Sequence, residues 1–248
     1  MNKVVIITGA SRGIGAATAE LAAARGYAVC VNYRSDKAAA DRVVKGIEQQ
    51  GGRAIAVAAD VSSEPAVVAL FETAEAQLGP VTALVNNAGI LETQMRVEAM
   101  DAARLQRIFA TNVIGTILCA REAVRRMSTR HGGSGGAIVN LSSMAARLGS
   151  AGEYVDYAAS KGAIDTFTIG LAREVAGEGI RVNAVRPGLI YTEMHASGGE
   201  PGRVDRLKES LPMKRGGQPL EVAYAILWLL SEEASYATGT FIDLSGGR

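Results

Sequence analysis

The chain has 248 residues, 48% of them hydrophobic and 21% charged, with 29 glycines. That length buries a substantial core, and the composition is that of a soluble globular protein rich in tight turns. Twenty-six Lys+Arg against 25 Asp+Glu give a formal net charge of +1 without a basic run, which argues against nucleic acid or an anionic membrane as partner.

Short apolar or β-branched runs recur at 4–7, 28–32, 54–58, 83–85, 137–141, 181–185 and 240–244. Between them lie helical patterns such as Val67, Phe71, Ala74, Leu78 and Val222, Ile226, Leu230. Alternation of strand and helix predicts right-handed crossovers and a parallel sheet. The continuous apolar character of the strands predicts burial on both faces. The expected fold is α/β, a Rossmann-like doubly wound fold with a seven-stranded parallel sheet and helices on both faces. No linker divides the chain, so 1–248 reads as one domain. The longest irregular stretch, 188–217, reads as a substrate loop or lid.

Met1-Asn2-Lys3 runs straight into the first strand without a signal-peptide pattern, and no apolar run approaches the roughly 20 residues that span a bilayer. Cys30 and Cys119 read as buried thiols of a reducing compartment, so a cytoplasmic protein is expected. His131 and His195 lack metal-ligand spacing, and no metal site is expected.

The first strand runs into Thr8-Gly9-Ala10-Ser11-Arg12-Gly13-Ile14-Gly15, followed by a helical stretch from Ala16 to Ala24. A tight turn needs Gly9, close approach of a phosphate needs Gly13, and close packing of helix on sheet needs Gly15. The helix start then offers free N–H groups and a positive dipole end to a pyrophosphate. Much later, Tyr157 and Lys161 stand four residues apart, one turn of a helix, so that an ammonium sits beside a phenol and favours its ionisation.

The Gly-x-x-x-Gly-x-Gly spacing resembles that of the short-chain dehydrogenases/reductases. The family's other marks follow in order: Asp60-Val61, Asn86-Asn87-Ala88-Gly89, Asn112 in a long helix spanning 102–127, Ser142-Ser143, Tyr157-x-x-x-Lys161, and Pro187-Gly188-x-Ile190-x-Thr192. The resemblance covers essentially the whole chain. It implies hydride transfer between a nicotinamide cofactor and a small-molecule carbonyl/alcohol pair. Tyr157 would be the general acid/base, Lys161 would lower its pKa and bond the nicotinamide ribose, Ser143 would donate to the substrate oxygen, and Asn112 would help hold a water. It also implies that Asp60 and Val61 flank the adenine, that Asn87, Ala88 and Gly89 pass beneath the adenosine ribose, and that Pro187, Gly188, Ile190 and Thr192 hold the nicotinamide amide. A homotetramer built through the long helices near 102–127 and 157–176 and the C-terminal segment is expected on the same ground.

The second strand ends Val31-Asn32-Tyr33-Arg34-Ser35, without an acid to bond a ribose 2'-hydroxyl before Asp36. Arg34, with Arg12 and beside Tyr33, suits a 2'-phosphate, which points to NADP over NAD. The Val-Asn-Tyr-Arg strand and the Tyr-Ala-Ala-Ser-Lys segment are similar to those of 3-oxoacyl-carrier-protein reductase-like and glucose-dehydrogenase-like members. In the first case Arg130 and Arg173 would receive an acidic carrier protein. Ser143 lies fourteen residues before Tyr157 where the family commonly has thirteen, and 149–152 is where an extra residue would be absorbed. Ser142 reads as a structural hydroxyl, and Tyr154 as a loop residue at the substrate mouth. The rival reading is a non-catalytic nicotinamide-binding regulator. It would need the glycine turn but not Ser143, Tyr157 and Lys161 together.

Overall fold

The computed structural model describes residues 3–248; Met1 and Asn2, part of the reading of the N-terminus, lie outside them. In its first half the chain forms β1 (Lys3–Ile7), α1 (Gly13–Ala24), β2 (Tyr27–Tyr33), α2 (Lys37–Gln49), β3 (Arg53–Ala58), α3 (Glu64–Leu78), β4 (Val81–Asn86), α4 (Ala102–Phe109) and α5 (Gly115–Met127). Then come β5 (Gly136–Leu141), α6 (Ala145–Leu148), α7 (Val155–Val175), β6 (Ile180–Pro187), α8 (Met194–Ser197), α9 (Arg203–Leu207), α10 (Pro219–Leu230) and β7 (Phe241–Leu244). The seven strands stand where the apolar runs place them. They make one sheet in the order β3-β2-β1-β4-β5-β6-β7, every pairing parallel.

Side-chain alternation along each strand explains why the runs are continuously apolar. Val5, Ile7, Val29, Val31, Val85 and Val139 point into a core shared with Ala19, Val43, Ile47, Val222 and Ile226 of α1, α2 and α10. Their neighbours Val4, Ile6, Cys30, Leu84 and Ile138 point into a second core with Phe71, Leu70, Cys119, Met127 and Val175 of α3, α5 and α7. Each such fully buried aliphatic contributes about 1.5–3 kcal/mol. The two thiols are inert members of these cores, burial pushing each up to about 12. No helix among the described residues is long and apolar enough to cross a membrane.

Two expectations change. The long helix over 102–127 is interrupted by a π turn at Ala110–Ile114, the device by which a helix turns one residue out of register at a special site. It brings Gly115 flush against the chain after β3, where a β-carbon would lie 2.7 Å from Val61 Cγ2. The stretch 188–217, read as irregular, holds two helices of four and five residues, α8 and α9. Elements that short, broken by Gly198-Gly199 and Pro201-Gly202, have no room for a visible period.

Candidate active site

The strand order reverses between β1 and β4, and in open α/β sheets the crevice beyond the strand ends at that point receives ligands. The glycine-rich turn is knotted into it by side chains. Thr8 Oγ1 accepts from the N–H groups of Asn87 (3.0 Å) and Ala88 (2.9 Å), while Asn87 Nδ2 donates back to the carbonyls of Thr8 (2.8 Å) and Gly9 (2.9 Å). Asn32 Oδ1 accepts from Gly9 N–H (3.1 Å), and its Nδ2 donates to Ala59 O (3.0 Å). Gly9 and Gly13 have φ of +60° and +56°, the left-handed region glycine enters without penalty. At Gly15 a β-carbon would lie 2.5 Å from Asn87 Nδ2 and 2.6 Å from Gly9 O, so this glycine lets α1 pack on the turn itself rather than on the sheet.

Arg12, immediately before α1, has no side-chain cap bond, so the first N–H groups of the helix have no side-chain cap from it. Ser11, Gly13 and Ile14 are partly exposed around it, and a β-carbon on Gly13 would lie 3.3 Å from Thr192 Cγ2. Thr192 therefore faces the glycine turn across an open cleft of about 540 Å³ lined by Gly13, Ala16, Tyr191, Thr192 and Glu193. A separate hollow of about 520 Å³ under Leu189, Leu211 and Met213 lies toward the C-terminus and contains none of the predicted catalytic side chains. At the end of β2, Arg12 and Arg34 are both exposed and neither forms an ion pair among the described residues. Tyr33 is not delivered with them, since its ring packs in the core. Asp60 is held below its ordinary value: burial pushes it up, but the Ser62 hydroxyl and N–H and the Arg34 charge outweigh that. Val61 is buried against Gly115. Pro187 O accepts from Met144 N–H (3.0 Å) and Gly188 N–H donates to Leu244 O (2.9 Å), which fixes the turn after β6. Ile190 bridges to Gly217, closing the base of the 188–217 stretch.

Tyr157 and Lys161 both lie on α7, the lysine 4% exposed and the tyrosine partly open to the crevice. The Lys161 Nζ stands 5.7 Å from the Tyr157 ring centroid and donates to Leu141 O at 2.6 Å. The spacing of the two groups does not by itself set the phenol's value. Burial pushes Tyr157 up to about 12, with the Ser143 hydroxyl beside it pulling the other way. Burial likewise pushes Lys161 down to about 8, against the pull of Asp165. Water reaching the open edge of the ring limits the first of these shifts.

Ser143 and Tyr157 are brought together although the connection is one residue longer than the family commonly has. Gly149, Ser150 and Gly152 all have positive φ, and the tight turn they form absorbs the length. Ser142 is turned away and donates to Asp165 Oδ1 (2.6 Å) and Lys161 O (3.3 Å). Asn112, fully buried in the π turn, accepts from Ile90 N–H (2.8 Å) and donates to Ile90 O (3.1 Å) and Ser160 Oγ (3.1 Å). Each polar atom of its side chain has a protein partner, and together they fix Ile90 and Ser160. A β-carbon on Gly89 would lie 3.5 Å from Asn112 Oδ1 and 3.6 Å from Lys161 Nζ, so this residue forms the wall of the crevice beside both side chains.

Several side chains that build the site have no role, or a different one, in the sequence reading. Thr8 and Asn32 look like any polar residue at a strand end. Asn86 Nδ2 donates to Asn140 Oδ1 (3.0 Å) and Asn140 Nδ2 to Thr168 Oγ1 (2.9 Å), a buried ladder linking β4, β5 and α7. Tyr154, directly before α7, is buried: its hydroxyl donates to Gly198 O (3.2 Å) and the Arg203 guanidinium lies over its ring at 5.1 Å. Arg203 also bonds both oxygens of Glu153 and, at 2.9 Å, Glu200, which ties the 188–217 stretch to the start of α7. Glu200 is held near about 2, first by its bond to Arg206. Among the described residues no group of three His, Cys, Asp or Glu is placed to hold a metal ion.

A family model described as enoyl-(acyl carrier protein) reductase matches residues 9–248. The chain is 62% identical over 245 residues to an uncharacterized oxidoreductase, YgfF, of Escherichia coli (strain K12), covering 99% of each. It is 41% identical over 246 residues to glucose 1-dehydrogenase 2 of Bacillus subtilis (strain 168), covering 99% of this chain and 94% of that one. It is 35% identical over 247 residues to a 3-oxoacyl-[acyl-carrier-protein] reductase of Staphylococcus epidermidis, covering 100% and 99%. The solved short-chain dehydrogenase/reductase of Serratia marcescens superposes with a TM-score of 0.90 at 32% identity over 99% of this chain and 97% of that one. With the parallel sheet, the knotted glycine turn and matches spanning nearly its full length, the chain belongs to the short-chain dehydrogenase/reductase family of oxidoreductases.

Proposed function

We propose that the protein is an NADP(H)-preferring dehydrogenase/reductase acting on a small-molecule carbonyl/alcohol pair, with Tyr157 as general acid/base. The observation that carries this reading is the meeting of Ser143, Tyr157 and Lys161 at the crevice where the strand order reverses. Bound there, the nicotinamide cofactor supplies the hydride. The uncapped start of α1 with Gly9, Ser11, Gly13, Ile14 and Gly15 suits its pyrophosphate, and the unpaired Arg12 and Arg34 suit a 2'-phosphate. Asp60, Val61, Ala88 and Gly89 line the adenosine side, with Asn87 acting through its grip on the turn. Pro187, Gly188, Ile190 and Thr192 suit the amide side, and the 188–217 stretch serves as the lid of one catalytic unit.

The protein's own part is to manage charge on the substrate oxygen. Ser143 donates to it, Tyr157 gives or takes its proton, and a protonated Lys161 lowers the cost of the phenolate. Asn112 supports this by fixing Ser160. A non-catalytic regulator would not need these groups together. Tyr157→Phe lowers kcat by about 10²–10⁴-fold and leaves NADPH binding, read by fluorescence titration, intact. The assay is a panel of ketoacyl thioesters, sugars, steroids and simple ketones and aldehydes. Retained turnover in the variant would overturn the assignment. A carrier-protein substrate has the narrower basis, because of its two candidate arginines Arg130 is paired to Glu178 at 3.1 Å, and Arg173 alone has no ion pair among the described residues.

Charge-assisted bonds to a phosphate are worth about 1.5–3 kcal/mol, so Arg34→Ala cuts kcat/KM for NADPH by about 10- to 100-fold while that for NADH changes little. Equal efficiency with both cofactors in the unsubstituted enzyme would refute the preference.

The protonation of Lys161 can be read from stability. Its value in the fold, about 8, lies below the ordinary 10.5. Between the two the unfolded chain binds the extra proton, so stability from this position is full above the ordinary value and is lost as pH falls toward the folded one. Relative to Lys161→Met, the unsubstituted protein gains stability in urea unfolding as pH rises from about 8 to 10, a window below that of the raised Tyr157. Parallel curves would show that the lysine is not desolvated.

A homotetramer is the proposed assembly. Leu105, Ile114 and Ile117 on the 102–127 run, Ile169 on α7, and Leu220, Tyr224 and Trp228 on one face of α10 are large apolar groups left 38–51% exposed, more than isolated surface residues require. Light scattering gives four times the chain mass of 25.8 kDa; a monomeric mass would contradict the assembly.

A further inference from the structure

We propose that Arg104 and Asp156 form a positioning pair that holds Tyr157 at its working place. The proposal rests on the dehydrogenase reading of Tyr157.

Asp156 is the second residue of α7 and directly precedes Tyr157. The first N–H groups of a helix have no partner within it, and Tyr154 before α7 supplies no side-chain cap. Asp156 fills that gap: its Oδ1 accepts from the Tyr157 N–H at 2.8 Å. Its other oxygen accepts from Arg104 Nε at 2.6 Å. The two side chains are 4% and 0% exposed, and Arg104 Nη1 also donates to Thr93 O at 2.8 Å, fixing the chain after β4.

The far side of Tyr157 is held from the same helical run. Its carbonyl accepts from Ser160 Oγ at 2.7 Å, and Ser160 Oγ accepts from Asn112 Nδ2 at 3.1 Å. Arg104 lies on α4 and Asn112 in the π turn that continues it. Both peptide groups of Tyr157 are therefore tied through side chains to one rod, and the Asn112 end alone would leave the tyrosine free to pivot.

A purely stabilising pair explains this less well. Exchanging a buried ion pair for apolar residues of similar size is often neutral or favourable to stability. Here one arginine nitrogen, Nη2, is also buried without a hydrogen-bond partner among the described residues. What apolar residues could not do is grip the Tyr157 N–H and Thr93 O together. The phenol must meet a substrate oxygen within a fraction of an ångström, and small misplacements of such groups are costly in rate.

The test uses the double substitution Arg104→Met with Asp156→Leu, which removes both charges together and preserves folding, alongside Arg104→Lys. Hydrogen exchange by mass spectrometry reads the first turn of α7 without requiring turnover, and steady-state kinetics reads the chemistry. In the double variant exchange across residues 155–161 quickens by about tenfold, and kcat falls by about 10- to 100-fold with substrate KM and NADPH Kd unchanged. Arg104→Lys, which keeps a cation opposite Asp156, recovers part of both. Unchanged exchange, or faster exchange with kcat intact, overturns the proposal. If instead Tyr157→Phe remains active, the role of Tyr157 falls, and the exchange measurement still decides whether the pair grips that turn.

Discussion

The interaction on which the site depends is the hydrogen-bonded knot between the first turn and the end of β4. Thr8 and Gly9 share four bonds with Asn87 and Ala88 across the point where the strand order reverses, and Asn32 pins Gly9 from the other side. A glycine-rich turn has high conformational entropy. Left to itself it would not present a fixed set of N–H groups to a phosphate. The knot converts that freedom into a rigid bend, and it does so with groups whose own burial is tolerable only because each is paired. The glycines allow the approach and the polar side chains fix it.

The same logic governs the protonation of the reacting pair. Spacing on α7 suggests that an ammonium beside a phenol ionises it, but the geometry weighs burial more heavily than the neighbour. Tyr157 rises and Lys161 falls, because each pays for leaving water before it gains from the other. Both shifts favour the neutral phenol with a neutral amine over the charged pair, so the resting phenol holds its proton. A group that must give a proton to a substrate oxygen needs to hold it at rest, which a permanently ionised phenolate would not.

Legibility in the sequence follows the range of the interaction that creates each feature. The strands were readable because burial on both faces writes itself into consecutive residues such as Val4 to Ile7. The glycine turn and the Tyr157 to Lys161 spacing were readable because they are set within a few residues. The Arg104 and Asp156 bond joins residues 52 apart and the Thr8 and Asn87 bonds residues 79 apart, and no local pattern marks either end. Tyr33 and Arg34 are adjacent in sequence, yet the strand ends between them, so one side chain stays in the core and the other stands in solvent. Asn112 was found by its family position, but the use of its whole side chain within the protein depends on a π turn that periodicity does not reveal.

The interrupted helix explains how one element serves the sheet and the site at once. In a regular helix over 102–127, Arg104 and Gly115 would lie about three turns apart on nearly one face. The π turn between them shifts that phase, with Arg104 bonded to Asp156 of α7 and Gly115 against Val61 after β3. Downstream, Gly115, Cys119, Ala123 and Met127 pack into the core at helical spacing. Upstream, Arg104 and Ile108 face inward beside the start of α7. At the join stands Asn112, the one residue whose side chain reaches Ile90 and Ser160 together. The irregularity is therefore what lets a core helix present polar groups to the catalytic turn without surrendering its apolar seam.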